Sequence, residues 1–119
     1  MSKKNILKAS KEFGKRELFA PTTGNATKPM RDALDSTLAV KDWVIYEYPY
    51  TEENGEETIR KAVTLVTDDG EIFGSSTKPF VEAFEEITEV LEDEPVGGLL
   101  VVEKESRNNR KYLTCTLAI

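Results

Sequence analysis

The chain has 119 residues, which suits one domain with a single core, and it has no run of about 18 apolar residues that would cross a membrane as a helix. Its net charge of −6 conceals a division: residues 1–31 hold eight basic side chains against Glu12 and Glu17, while the other 88 hold eight basic and twenty acidic ones. With no histidine and a single cysteine, the usual general base and a thiolate zinc site are both missing, so no metal and no cofactor are expected.

The basic N-terminal segment, residues 1–31, begins with Met1-Ser2-Lys3-Lys4-Asn5, which lacks the apolar stretch of a secretory signal. Together with the unpaired Cys115, that favours a reducing cytoplasm. Asn5 to Ser10 reads as a short strand or one helical turn, broken by Gly14. Arg16 to Ala20 reads as a brief strand ending at Pro21. Residues 22–29 contain threonines, Gly24, Asn25 and Pro29, and read as a mobile loop.

From residue 37 the pattern becomes regular. Leu38 to Tyr48 is rich in β-branched and aromatic residues and predicts a strand that Pro49 ends or places on an edge. Trp43 shares parity with Ile45 and is assigned to the core. Tyr46, Tyr48 and Tyr50 share the opposite parity, which suits either an exposed stacking edge or core filling. Thr51 to Glu57 is an acidic loop with an Asn54-Gly55 turn. Thr58 to Thr67 alternates, with Ile59, Val63 and Leu65 expected on a buried face and Arg60 and Thr64 on a polar one. Asp68-Asp69-Gly70 turns the chain into a strand that begins Glu71-Ile72-Phe73. It lacks the alternating oxygen ligands of a calcium loop.

Phe80, Phe84, Ile87 and Leu91 form one apolar stripe at helical spacing, backed by Glu82, Glu85, Glu86, Glu89 and Glu92. Ser76 or Thr77 is placed to cap this helix, Pro79 falls in its first turn, and Pro95 with Gly97-Gly98 stops it. Leu99 to Glu105 and Lys111 to Ala118 predict two last strands joined by the hairpin Ser106 to Arg110. Cys115 has the parity of Leu113 and Leu117, as a small core residue does.

Strand, strand, strand, helix, strand, strand is the chain order of an OB-fold, a small barrel that commonly grips oligonucleotides or oligosaccharides. The expected architecture is therefore mainly β with one helix: a single OB-fold-like, five-stranded barrel over residues 1–119 with an extra N-terminal segment. Aromatic faces on such a barrel suit base stacking, and its basic groups suit phosphates. The stacking candidates are Tyr46, Tyr48, Tyr50, Phe73 and Tyr112. The phosphate candidates are Lys3, Lys4, Lys8, Lys15, Arg16, Lys28 and Arg60, with Arg107, Arg110 and Lys111 at the last hairpin. The glutamates of the 51–57 loop oppose a polyanion lying across them. No carboxylate pair sits in an apolar run that would raise a pKa for acid catalysis, so binding rather than enzymatic activity is expected.

The chain also resembles the single-stranded DNA-binding proteins of small phages with protein-primed replication, the phi-29 type. The resemblance is carried by Asn5-Ile6-Leu7-Lys8-Ala9-Ser10, by Phe19 followed by Thr23-Gly24, and by Glu56-Glu57-Thr58. Asp69-Gly70 ahead of a strand and the acidic-backed helix extend it, as does the closing alternation Tyr112 to Leu117. It spans nearly the whole chain in short identities whose order and spacing carry the match. It implies sequence-independent coating of displaced single strands during phage DNA replication in the cytoplasm of an infected host cell. Single-stranded DNA is then the partner, with phage replication proteins and self-association left open and no membrane involved. Phe73 stands where the family has a base-contacting tyrosine, and Tyr46 with Tyr48 carry over as a cluster. The closing Thr116-Leu117-Ala118-Ile119 lacks the acidic tail of bacterial single-strand binders. The acidic composition also admits a second reading, a phage DNA mimic or protein-interaction module that inhibits a host DNA-binding protein.

Overall fold

The computed structural model describes residues 5–10, 27–92 and 94–118. They form strands β1 (Asn5–Ala9), β2 (Thr27–Pro29), β3 (Thr37–Thr51), β4 (Glu57–Thr67) and β5 (Ile72–Ser75). Helix α1 (Lys78–Leu91) follows, and then β6 (Gly97–Glu105) and β7 (Lys111–Leu117). A 3₁₀ turn, Met30–Ala33, separates β2 from β3. Among the described residues the architecture is mainly β with one helix, as the sequence pattern requires.

The strands form one sheet in the order β2-β5-β4-β3-β6-β7, with β1 added on β3, and the sheet curls into a half-barrel. Two features depart from the expected five-stranded barrel. The N-terminal segment supplies two extra strands, and among the described residues β5 and β7 do not pair to close the ring. Asn5 to Ser10 resolves as a strand, since β1 pairs antiparallel with β3. The expected 16–20 strand lies outside the described residues, as does most of the 22–29 loop. The end of that loop is β2, which pairs in parallel with β5.

The curl has a local cause in β3. Its first residues, Thr37 to Val40, pair with β6, while Val44 to Glu47 pair with β1 along the same edge. Between them the β3–β4 register shifts at Lys41, between Val40 and Asp42. An extra residue on one strand bends it and increases its twist. One long strand can therefore serve both halves of the sheet.

Parity then selects the core. Trp43 and Ile45 point inward opposite Leu65 and Val63, and Phe73 stands opposite Leu65 on β5. α1 packs on both β4 and β7, so it bridges the open side of the half-barrel. Phe80 and Phe84 are fully buried there, and Phe84 meets Trp43 edge-to-face at 5.4 Å between ring centroids. Each buried phenylalanine contributes roughly 1.5–3 kcal/mol through the area it removes from water. Thr77 occupies the cap position of α1 without a side-chain cap bond. The Ser75 hydroxyl accepts from the Thr77 N–H instead, at 3.3 Å.

The alternation expected along β4 holds only in part. Val63 and Leu65 are buried, but Ala62 and Thr64 on the opposite face are buried as well. Ile59, expected inside, is 64% exposed. It lies beyond the last residue of β4 that pairs with β5, Val63 opposite Ser75, so among the described residues no strand there continues the core over it.

Cys115 is buried as its parity predicts, and desolvation pushes its thiol up to about 12. The thiolate is the reactive form. The folded protein is therefore expected to resist a thiol-specific reagent at neutral pH and to react fully once denatured. Rapid labelling of the native protein would show that this side of β7 opens.

Candidate nucleic-acid interface

On the face of the β3–β4 ladder opposite the core, Tyr46 stands across from Ala62, Tyr48 from Arg60 and Tyr50 from Thr58. Side chains two residues apart on a strand share a face. The three tyrosines therefore form a row, and Arg60 enters it from the neighbouring strand. The rings of Tyr46 and Tyr48 lie 6.1 Å apart at 43°, and the Arg60 guanidinium sits 3.7 Å from the Tyr50 ring centroid. Tyr50 is 38% exposed, while Tyr46 and Tyr48 are half-buried. The Tyr46 hydroxyl is held above its ordinary pKa chiefly by burial, with a hydrogen bond involving Thr64 acting the other way. Ile6 of β1 pairs beside Tyr46 and extends the surface.

Arg60 is not a bare cation. Its Nη2 donates to both carboxylate oxygens of Glu52, at 3.1 and 3.2 Å, and the Thr58 hydroxyl donates to the same carboxylate at 3.1 Å. The Arg60 bond first, and then the Thr58 bond, hold Glu52 below the usual carboxylate range. One glutamate of the acidic loop thus reaches back over the hairpin and neutralises the arginine. Residue types alone did not reveal this contact. The signal was in the hairpin register, because the tight turn around Asn54-Gly55 brings residues 52 and 60 to the same end of the ladder.

Phe73 requires a correction. It is 6% exposed and belongs to the core cluster, because its pairing with Leu65 aims the ring inward. No ring face is offered to a base. Lys28 lies 5.8 Å from that ring and pairs with Glu71 at 2.7 Å, so its charge is also partly spent. Tyr112 is half-buried on β7 beside Lys104, away from the tyrosine row.

The last hairpin does not join the row either. Leu100 is level with Thr37, so the rest of β6 and the Ser106–Arg110 turn continue past the start of β3. The tyrosines stand toward the other end of that strand. Arg107, Arg110 and Lys111 are exposed and make no ion pair among the described residues, as is true of Lys8 on β1. Lys3, Lys4, Lys15 and Arg16 lie outside the described residues. Two cations absent from the expected set, Lys41 and Lys104, are exposed in the same way.

The arrangement offers flat aromatic faces with one cation stacked on the row, and a separate basic hairpin. Among the described residues, no helix is long and apolar enough to cross a membrane. Compared with known protein families, with curated proteins and with solved structures, the chain matches none.

Proposed function

We propose that the protein binds single-stranded DNA without sequence preference, as a replication-associated coat protein of the phage type it resembles, and performs no bond-making step. The observation that carries this reading is the Tyr46-Tyr48-Tyr50 row with Arg60 against it. Aromatic faces accept any unstacked base, and a cation in the row serves phosphate and ring alike. The path β5-β4-β3-β6-β7, with α1 between β5 and β6, supports reading the half-barrel as an OB-type scaffold. The row departs from the usual OB face by lying on the first strand of that scaffold opposite the second.

The deciding experiment is a titration of intrinsic tyrosine and tryptophan fluorescence with oligo-dT and with duplex DNA. Quenching by the single strand, with much weaker response to duplex, is expected because duplex bases are already stacked. Equal affinity for the two forms, or no binding of oligo-dT, would sink the reading.

The Glu52–Arg60 pair supplies a second prediction. Glu52→Gln removes the carboxylate charge that engages Arg60, so single-strand binding is expected to tighten. The log–log salt dependence should steepen by roughly 0.7 for one added phosphate contact. Adding Arg60→Ala to Glu52→Gln should reverse both changes. The folded-state pKa of Glu52 is depressed, so its contribution to stability is complete above the unfolded value and is lost as pH falls through the folded one. The pair therefore persists at neutral pH. An unchanged salt slope in Glu52→Gln would place the phosphate path elsewhere.

A further inference from the structure

Among the described residues the outer part of β4 is an open sheet edge, and its sequence is self-complementary. Main-chain bonds at both ends of the strand establish which groups face outward. The Glu52 N–H donates to the Glu56 carbonyl at 2.8 Å, closing the β3–β4 hairpin. Hydrogen-bonded and non-bonded pairs alternate in an antiparallel ladder. Thr51–Glu57 and Pro49–Ile59 are then non-bonded pairs, and proline, which has no N–H, suits such a position. At the far end the Thr67 N–H donates to Glu71 on the β5 side at 2.9 Å. The odd-numbered residues of β4 therefore turn their N–H and C=O groups away from β3.

For Val63 and Leu65 those groups meet β5. β5 stops opposite Val63 because the chain leaves at Ser75 to enter α1. The outward groups of Glu57, Ile59 and Lys61 therefore have no strand beside them among the described residues. The Ile59 side chain is 64% exposed, and a groove of about 540 Å³ lies between this edge and the first turns of α1, with Val81 in its wall. An open edge carrying an exposed branched residue is a template for another strand.

We propose that this edge pairs with the same edge of a second copy of the chain, antiparallel and centred on Ile59. A two-fold axis at that residue sets Ile59 against its counterpart, Glu57 against the second copy's Lys61, and Thr58 against its Arg60. The charges match at both ends, and the exposed Ile59 side chain meets its own counterpart. A two-fold strand pair needs this self-complementarity. Lys61 already approaches Glu85 at 3.2 Å in its own chain, with its side chain half exposed, so its ammonium remains within reach of a second carboxylate. The sheet becomes continuous through both copies, and the two tyrosine rows lie along one face.

Sedimentation equilibrium over a concentration series, with amide hydrogen exchange at both extremes, tests the pairing. The average mass is expected to rise toward twice that of the monomer. The amides of Glu57, Ile59 and Lys61 should gain protection with concentration, while those of Thr58 and Arg60, already turned toward β3, should not. Glu57→Lys or Lys61→Glu alone sets like charges opposite each other at both ends and should weaken association roughly tenfold or more. The two together restore the pairing and should restore association. A protein that stays monomeric throughout overturns the proposal. So does a dimer that ignores the charge reversals or protects a different strand.

Discussion

Replacing Phe84 with alanine is expected to bring the folded protein close to the edge of unfolding. The ring is fully buried and packs edge-to-face on Trp43, where α1 spans the open side of the half-barrel. No strand pairing closes that side among the described residues, so the gap left by the ring has few ways to collapse. A buried Phe→Ala change costs about 3–5 kcal/mol, against a total stability of roughly 5–15 kcal/mol for a domain of ordinary size. Urea titration followed by tryptophan fluorescence would show the midpoint fall steeply. Val90→Ala on the same helix serves as the control, because Val90 is 76% exposed and should move the midpoint little. If the two variants unfolded alike, α1 would not be the closing element of the core.

Removing Tyr48 and Tyr50 together is expected to have the largest effect on DNA binding. Loss of one stacking ring costs roughly 1–3 kcal/mol per base, so the pair should weaken single-strand affinity by at least about thirtyfold. The fold should survive, since Tyr50 and Tyr48 are both partly exposed and neither belongs to the core cluster. A double-mutant cycle with Arg60→Ala isolates the stacked contact, because Arg60 lies against Tyr50 and across the ladder from Tyr48. Tyr46→Phe tests a different property. It keeps the ring but removes the hydroxyl bonded with Thr64, so its effect should fall on stability rather than on DNA. Phe73→Ala should likewise lower stability and leave the binding surface intact. Normal DNA affinity in the Tyr48/Tyr50 double variant would mean that the row is structural and that DNA follows another face.

Features set by neighbouring residues are legible in the sequence. The helix was legible because the Phe80-Phe84-Ile87-Leu91 stripe is a property of neighbouring residues, and so were the turns at Asn54-Gly55 and Asp68-Asp69-Gly70. The parity of Trp43 and Ile45 located the core face of β3, and that of Cys115 did the same for β7. The inward turn of Phe73 is not legible locally, since alternation alone does not say which face of a four-residue strand meets the core. The exposure of Ile59 escapes the local pattern for a related reason. Its parity is that of Val63 and Leu65, but burial also requires something opposite, and β5 has already turned away.

The sequence by itself determined the element order from residue 37 onward, the positions of the turns, the helix over Lys78–Leu91 and the placing of three tyrosines on one side of a strand. Those follow from backbone preferences and side-chain spacing, which act within a few residues. Only the tertiary structure decided that the sheet curls at Lys41 and that β1 and β2 join it. It also decided that α1 bridges the open side, that Glu52 folds back onto Arg60 and that, among the described residues, no strand pairs with the edge of β4 from Glu57 to Lys61. Each of these depends on contacts between segments distant in the chain or on where a neighbouring strand ends, and no local pattern records such contacts.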